Sequence, residues 1–473
     1  MSDARDETAA AAAFAYEQAG EYLAGLDERP VLPQGVDEAV ARFGGPFPDE
    51  GSGAVAALEE LLTGLDAATG SSGPRFFHFV TGGVTPAALG ADWLTTALDQ
   101  NAFSWVGSPL GTRLETVALD WLKELFALPA DWGGALTTGA TAANFMGLAA
   151  ARQWWGEQHG RNIGSEGMAG LPAVPVLSSG FIHASALKAL AMVGVGRSSV
   201  RTFSCDAVGR IDLPALTVAL RELGGAPAII VGNAGDVNVG EFDPLAELAD
   251  LAEEHGAWLH VDGAFGLFAR VSPRVEALAE GVDRAHSVIA DGHKWLNVPY
   301  DCGFAFVRDP GLLAKVFSLA AAYLPEDEPE PTYGYLTPES SQRARSIAVW
   351  ATLRAWGRAG YREMVERHLD LAQRLAQRVD EAPDLERLAD APLNIVCFRY
   401  RPPDVPEEEL DGLNARLGED VLADGRVYVG TTSFAGKTAF RPAIVNWRTG
   451  EAEVDLLVDV LRELGGSLLA RTK

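Results

Sequence analysis

At 473 residues, 48% of them hydrophobic, the chain is long enough for two or three structural units and has ample material for buried cores. A formal net charge of −27 argues against binding nucleic acid or an anionic membrane surface, because either needs a basic field; small molecules and other proteins remain as partners. Cys205, Cys302 and Cys397 are far apart and odd in number, and show neither a disulfide framework nor zinc-ligand spacing.

The chain starts with acidic residues and a short alanine run rather than a basic segment leading into a long apolar core. No stretch is long and apolar enough to span a bilayer, so a reduced, cytoplasmic setting is expected. Residues 1 to about 70 read as helical, with apolar residues at helical spacing from Val55 to Leu65 and breaks at Pro30, Pro33, Pro46 and Pro48. Such a segment cannot bury its apolar face alone. The aromatic run from Gly73 to Gly83 reads as a strand or core segment. After Trp132, Leu136 and Thr137 end a strand, Gly139 permits a turn and Thr141 opens a helix. A loop entering a helix amino terminus offers free N–H groups to a phosphate, although ordinary turn chemistry fits the same residues.

His183 follows a strand over Val174 to Leu177 and precedes a helix, where a histidine is commonly a cap. Ala228 to Gly232 is a further apolar strand. Asp243 and Pro244 start a helix whose Leu245, Leu248 and Leu251 share a face, and Gly256 stops it before a strand over Trp258 to Val261. Repeated alternation from about residue 130 to 310 predicts a mostly parallel sheet covered by helices. Asp262 stands at the end of one strand, and Lys294 follows another, Val288 to Ala290. Open α/β sheets place ligands at such carboxyl ends.

Only Lys123, Lys188, Lys294, Lys315, Lys437 and Lys473 are lysines among 38 basic residues, which singles out the one flanked by His293 and Trp295. A lysine for a Schiff base and a carboxylate to keep a pyridine nitrogen protonated are what pyridoxal phosphate chemistry needs; a salt bridge between strand ends is the plainer reading. The acidic, proline-rich stretch from Leu324 to Ser341 reads as an exposed loop. Beyond residue 356 follow a long helix through Leu375, a strand in LNIVCFRY, a turn-rich stretch and a final amphipathic helix, together a small α+β domain.

Ser287, Lys294, Cys302 and Arg308 stand at the spacing of the lysine-site motif of the group II pyridoxal-phosphate-dependent amino acid decarboxylases, the family that includes aromatic-L-amino-acid decarboxylase. The phrases PRFFHF, NAFSWVGSP and LETVALDWLKELFALP resemble the amino-terminal half of that family in order and separation, and the likeness covers roughly residues 70 to 445. Ala305 departs from the motif, where a larger apolar residue is usual.

The resemblance implies a fold-type I α/β enzyme: an amino-terminal helical segment over 1–82, a large cofactor-binding domain with a seven-stranded-type, mostly parallel sheet over 83–355, and a small carboxyl-terminal domain over 356–473. It implies a homodimer that decarboxylates an L-amino acid with pyridoxal 5'-phosphate on Lys294. Gly139, Ala140 and Thr141 would cradle the phosphate, His183 would stack on the ring with Ala264 on the other side, and Asp262 would face the pyridine nitrogen. His293 would adjoin the cofactor.

Phe79 would line the substrate pocket, and Phe103 would reach into the partner's site. His78 and Val80 replace other residues of the family's pocket, and Asp236 stands where a threonine lies near the cofactor, a change that could alter its electronics. Tyr333 would be the mobile loop's tyrosine, with Tyr335 as competitor; Tyr333 or His183 would supply the proton. Transamination, aldehyde synthesis and a noncatalytic role are alternatives. His260, Asp262 and His293 form a weak metal-ligand pattern beside a repelling lysine.

Overall fold

The computed structural model describes residues 2–33, 35–204, 208–319 and 328–472. Cys205 and the first part of the proline-rich loop, 324–327, lie outside them. Seven strands form the main sheet: β1 Gly133–Thr137, β2 Val176–Ser178, β3 Val200–Thr202, β4 Ile229–Asn233, β5 Trp258–Asp262, β6 Ser287–Asp291 and β7 Gly303–Val307. Their order is β1-β7-β6-β5-β4-β2-β3, with β7 antiparallel to both neighbours and every other pair parallel.

The alternation read from the sequence explains this arrangement. Every residue of β4, β5 and β6 is buried, as expected of parallel strands covered on both faces, which read as near-continuous apolar runs. The helix Leu245–His255 buries Leu245, Leu248, Ala249 and Ala252 on one stripe. Gly256, at φ 59°, ends that helix in the left-handed conformation that glycine adopts without steric cost. The crossover helices thus return each strand in the same direction, and the carboxyl ends of β2, β4, β5 and β6 gather on one edge.

A second, antiparallel sheet follows: β8 Leu385–Arg387, β9 Phe398–Tyr400, β10 Thr431–Phe434 and β11 Lys437–Phe440, in the order β10-β11-β9-β8. Three helices, Ser346–Glu381, Glu407–Asp424 and Glu451–Thr472, accompany it. The first of these breaks at Gly357 (φ 60°, ψ −177°) and carries its long second part into the smaller core.

The segment Gly73–Gly83 is not a strand; apart from a single bridge between Phe76 and Tyr428 it is irregular. Phe77 belongs to the core of the smaller domain and Val80 to that of the larger, so this run joins the two. The amino-terminal helices bury little. None of Val36–Ala41 or Ala54–Leu62 is buried, and Tyr16, Phe47 and Leu61 are largely exposed. Among the described residues no helix is long and apolar enough to cross a membrane.

One polar residue fastens the domains where the site will form. Asn297, at φ 58°, donates through Nδ2 to the carbonyls of Trp295 and Val445, both at 2.9 Å, and accepts from Trp447 N at 2.9 Å. Its carbonyl accepts from Thr85 N at 2.9 Å, and Trp447 Nε1 donates to Val84 O at 2.8 Å. Removing such a side chain leaves buried backbone groups unpaired. Asn297→Ala is therefore expected to lower unfolding free energy by about 2–4 kcal/mol, read as a shift of the urea midpoint at unchanged slope.

Candidate active site

The carboxyl end of β6 delivers the lysine. Asp291 closes the strand, and Lys294 Nζ lies 2.9 Å from Asp291 Oδ2 in a pair that is nearly shut off from water. Asp291 Oδ1 also accepts from Ala140 N at the head of the helix Ala140–Gln158, so one carboxylate spans the lysine and a helix amino terminus. Sequence reading gave Asp291 no role of its own. Its register with Gly303, which in turn pairs with Thr137, is what brings these loops together.

His293 accepts from Cys302 N through Nδ1 at 3.2 Å, leaving Nε2 toward Asp291 Oδ1 at 3.5 Å. Tyr300 stacks on this imidazole, 4.2 Å between ring centres, and its hydroxyl meets Thr81 Oγ1 at 3.2 Å. Space around the lysine depends on glycine. A Cβ on Gly82 would fall 1.7 Å from Lys294 O, and one on Gly139, at φ 138°, would fall 2.8 Å from His293 Cε1. Gly139 is followed by the first-turn N–H groups of Thr141 and Ala142, which a helix leaves without internal acceptors.

The neighbouring strand β5 ends in Asp262, which is buried and accepts from Asn144 Nδ2 at 2.9 Å and Ala264 N at 3.2 Å. His183 caps the helix Ala184–Met192; its Nδ1 accepts from Ser185 N at 3.2 Å and lies 2.6 Å from Ser185 Oγ. Burial lowers the basicity of His183 despite the opposing charge of Asp262, which favours a neutral ring with its proton on Nε2. Lys294, Asp262, His183, His293, Ala264 and the loop at Gly139, Ala140 and Thr141 thus converge on one edge of the sheet.

Asp236, expected near the cofactor, braces its own turn with its carboxylate, accepting from the N–H groups of Asn238 at 2.8 Å, Val239 at 3.4 Å and Glu241 at 2.9 Å. Burial nevertheless raises it to about 6. His260 is no metal ligand, since Ser287 Oγ and Asn144 Oδ1 occupy its two nitrogens at 2.7 and 2.8 Å.

Tyr333 is not brought to Lys294. Rather than lying in an open loop, it sits in a single helical turn, 2% exposed, with its hydroxyl 2.9 Å from Thr116 Oγ1. It lines a cavity of about 410 Å³ beside Trp132, Gly133 and Phe306, which mark the end of β1 remote from Thr137. Thr116 Oγ1 also donates to Glu330 Oε2 at 2.8 Å, so one threonine holds two residues of this segment. Tyr335 packs edge-on against Phe103, 5.4 Å between ring centres, and Gly334 N donates to Phe103 O at 2.9 Å. Within one chain Phe103 is therefore joined to this turn and not to the lysine.

Phe79 and Tyr300, each 60% exposed, stand near the lysine as apolar surface open to solvent. Phe79 takes φ 55° and packs on His78 at 3.9 Å, and His78 accepts from Gly430 N at 3.2 Å. Sequence reading also missed Arg441. It is 8% exposed, and its Nη1 has no hydrogen-bond partner among the described residues. It lies close enough for its charge to disfavour protonation of both His78 and His183. Burial lowers its pKa and the nearby Asp236 opposes that shift, yet Nη1 keeps an unused N–H that a further anion could take.

Comparison with known proteins gives a consistent answer. Residues 60–401 match the model of the pyridoxal-dependent decarboxylase conserved domain. The chain is 29% identical over 389 residues to aromatic-L-amino-acid decarboxylase of Bacillus atrophaeus, covering 80% of this chain and 79% of that protein. It is 30% identical over 433 residues to L-2,4-diaminobutyrate decarboxylase of Rhizobium meliloti (strain 1021), covering 89% and 84%. The fold matches the crystal structure of Oryza sativa TDC with PLP and tryptamine, with TM-score 0.89, 24% identity and 98% of each chain covered.

The position of Tyr333 makes a clear prediction. Tyr333→Phe should lose about 1 kcal/mol of stability through Thr116 yet keep product formation near the original rate. Turnover and denaturant melts measured on the same preparation check this, and a collapse of turnover at unchanged stability would return the residue to the chemistry.

Proposed function

This chain belongs to the pyridoxal-dependent decarboxylase family and is an amino acid decarboxylase that uses pyridoxal phosphate; from that premise we propose that Lys294 carries the cofactor and that His183, Asp262 and Arg441 complete the site. The observation that carries this reading is the meeting of Lys294 and Asp262 on adjacent strand ends with a glycine-opened helix amino terminus beside them. The donors fit the group. The first-turn N–H groups after Gly139 and the Thr141 hydroxyl suit a phosphate, and Asp262 suits a protonated pyridine nitrogen.

When bound as a Schiff base to the lysine, pyridoxal phosphate supplies an electron sink for the pair left when carbon dioxide departs. The chain's own residues prepare that step. Asp291 holds Lys294 Nζ by an ion pair, and two N–H donors fix the Asp262 carboxylate in place. Arg441 offers its unpaired N–H to a carboxylate of the amino acid. His183 presents Nε2–H on the pocket side and, with Tyr333 engaged elsewhere, is the proton source at the site.

We further propose that the active unit is a homodimer. Phe79 and Tyr300 leave the mouth of the site wet in one chain, while the amino-terminal helices expose an apolar groove of about 250 Å³ lined by residues such as Phe14, Tyr22, Leu58 and Leu62. A second copy covers such surface and brings a Phe103 to the site it adjoins.

Two experiments test this reading. Borohydride reduction of the yellow protein should fix the cofactor on Lys294 in peptide maps, and label on Lys188 or Lys315 would displace the assignment. A panel of amino acids scored for carbon dioxide and amine then identifies the substrate, for which Arg441→Met should raise KM about tenfold or more. Mixing Phe103→Ala chains with Lys294→Ala chains should restore activity, because each hybrid dimer holds one site free of both changes; full activity of a dilute monomer would refute the shared site.

A further inference from the structure

Behind the pocket lies a hydrogen-bond chain whose direction is fixed at its two ends. Trp258 Nε1–H donates to Ser287 Oγ at 3.0 Å, and an indole can only donate. At the other end the Asp262 carboxylate can only accept, so Asn144 turns its amino group to Asp262 and its Oδ1 to His260 Nε2, and Ser287 Oγ, 2.7 Å from His260 Nδ1, gives that nitrogen its proton. His260 is wholly buried, and burial holds it neutral, with its value lowered to about 4. A neutral ring that accepts at Nδ1 carries its proton on Nε2, which reaches Asn144 Oδ1 at 2.8 Å. The amide orientation of Asn144 is thereby settled.

Its amino group points to Asp262 Oδ2 at 2.9 Å and to Ser185 Oγ at 3.2 Å. Ser185, having accepted, donates to His183 Nδ1 at 2.6 Å. The helix that carries Asn144 makes room for this chain with Gly147, whose Cβ would fall 2.6 Å from His260 Cε1 and 2.8 Å from Nδ1. Glycine weakens a helix relative to alanine, so its place opposite His260 reflects the space the imidazole needs.

We propose that Asn144, its amide locked by His260, is a positioning residue that sets Asp262 directly and His183 through Ser185, so that one side chain aligns the groups meeting the edge and the face of the pyridine ring. This rests on the reading that the cofactor lies over Asp262 beside His183. Asn144 acts through these side chains, Asp262 and Ser185, to which it is hydrogen-bonded. With its amide reversed, an oxygen would stand against Asp262 and Ser185 Oγ would be drawn from His183 Nδ1, leaving the Ser185 N–H at 3.2 Å as the remaining donor and weakening the selection of Nε2–H.

The test compares Asn144→Leu, His260→Leu, Gly147→Ala and His260→Gln with the unaltered protein. A glutamine amide can supply the N–H that the ring's Nε2 gives to Asn144, whereas leucine cannot. Three readouts are used: the dissociation constant for pyridoxal phosphate added to stripped protein, the absorption maximum of the bound cofactor, and the tautomer of His183 from ¹⁵N-histidine spectra of the cofactor-free protein.

The first three variants should bind the cofactor about tenfold or more weakly, with a shifted absorption maximum and a mixture of His183 tautomers. His260→Gln should stay close to the unaltered protein in all three. If His260→Gln is impaired as much as His260→Leu, or if Asn144→Leu and Gly147→Ala match the unaltered protein, the proposal is overturned. Should Asn144→Leu fail to fold, the His260 pair and Gly147→Ala decide the matter by the same readouts. The premise fails separately: borohydride label away from Lys294 in the unaltered protein removes the cofactor assignment, while the histidine spectra still report on the chain of bonds.

Discussion

A carboxylate at the buried end of a strand must be given hydrogen-bond donors, or its charge costs several kcal/mol. Asp262 meets that demand with one backbone N–H and one side-chain amide, and much of the surrounding architecture exists to hold that amide in place. The helix Ala140–Gln158 carries Asn144 against the sheet, β5 carries His260 and Asp262 two residues apart so that both point to the same face, and β6 contributes Ser287. A parallel arrangement is required for this. Antiparallel neighbours would send Asp262 and Lys294 to opposite edges of the sheet.

The second requirement is that an amine and an anion-binding helix terminus share a small volume without collapsing onto each other. Asp291 mediates, bonded to Lys294 on one side and to Ala140 N on the other. The glycines at 82 and 139 let backbone approach closely on two sides, where a side chain would collide with the Lys294 carbonyl or the His293 ring. The site is therefore narrow in its walls and open at its mouth, where exposed Phe79 and Tyr300 mark the surface a neighbouring subunit would dry.

Much of this was legible in the sequence. The apolar runs at 228–232 and 258–261, the Asp243–Pro244 helix start and the Gly256 stop each act over a few residues, and the strands and helix appear within a residue or two of where local pattern placed them. Lys294 stood out by scarcity and by its place after a strand. What escaped was long-range. Asn144 looks like one polar residue inside an alanine-rich helix, Arg441 lies far along the chain from the pocket it faces, and neither has a local signal. The surroundings of Tyr333 escaped for a related reason: an acidic, proline-rich composition describes the loop as a whole but does not reveal that one hydroxyl finds Thr116 on a helix more than 200 residues earlier. The backbone contacts by which Asp236 braces its own turn had no sequence signal either.

The clamp at Asn297 bears on how the molecule is made. Residues on either side of it are joined over very long stretches of chain: Trp447 to Val84, Asn446 to Gly73 and Thr449 to Pro74 are separated by 363, 373 and 375 positions. Closing loops of that length is slow relative to the local helices and βαβ units, which can form as soon as they leave the ribosome. During synthesis the main sheet can thus stand complete while the segment that walls the pocket still lacks its carboxyl-terminal partners. Lys294 acquires its enclosure only in the last stage of translation, so a stalled or truncated chain ending before Val445 would present a formed sheet with a reactive amine and no finished site, a species for quality control rather than for catalysis.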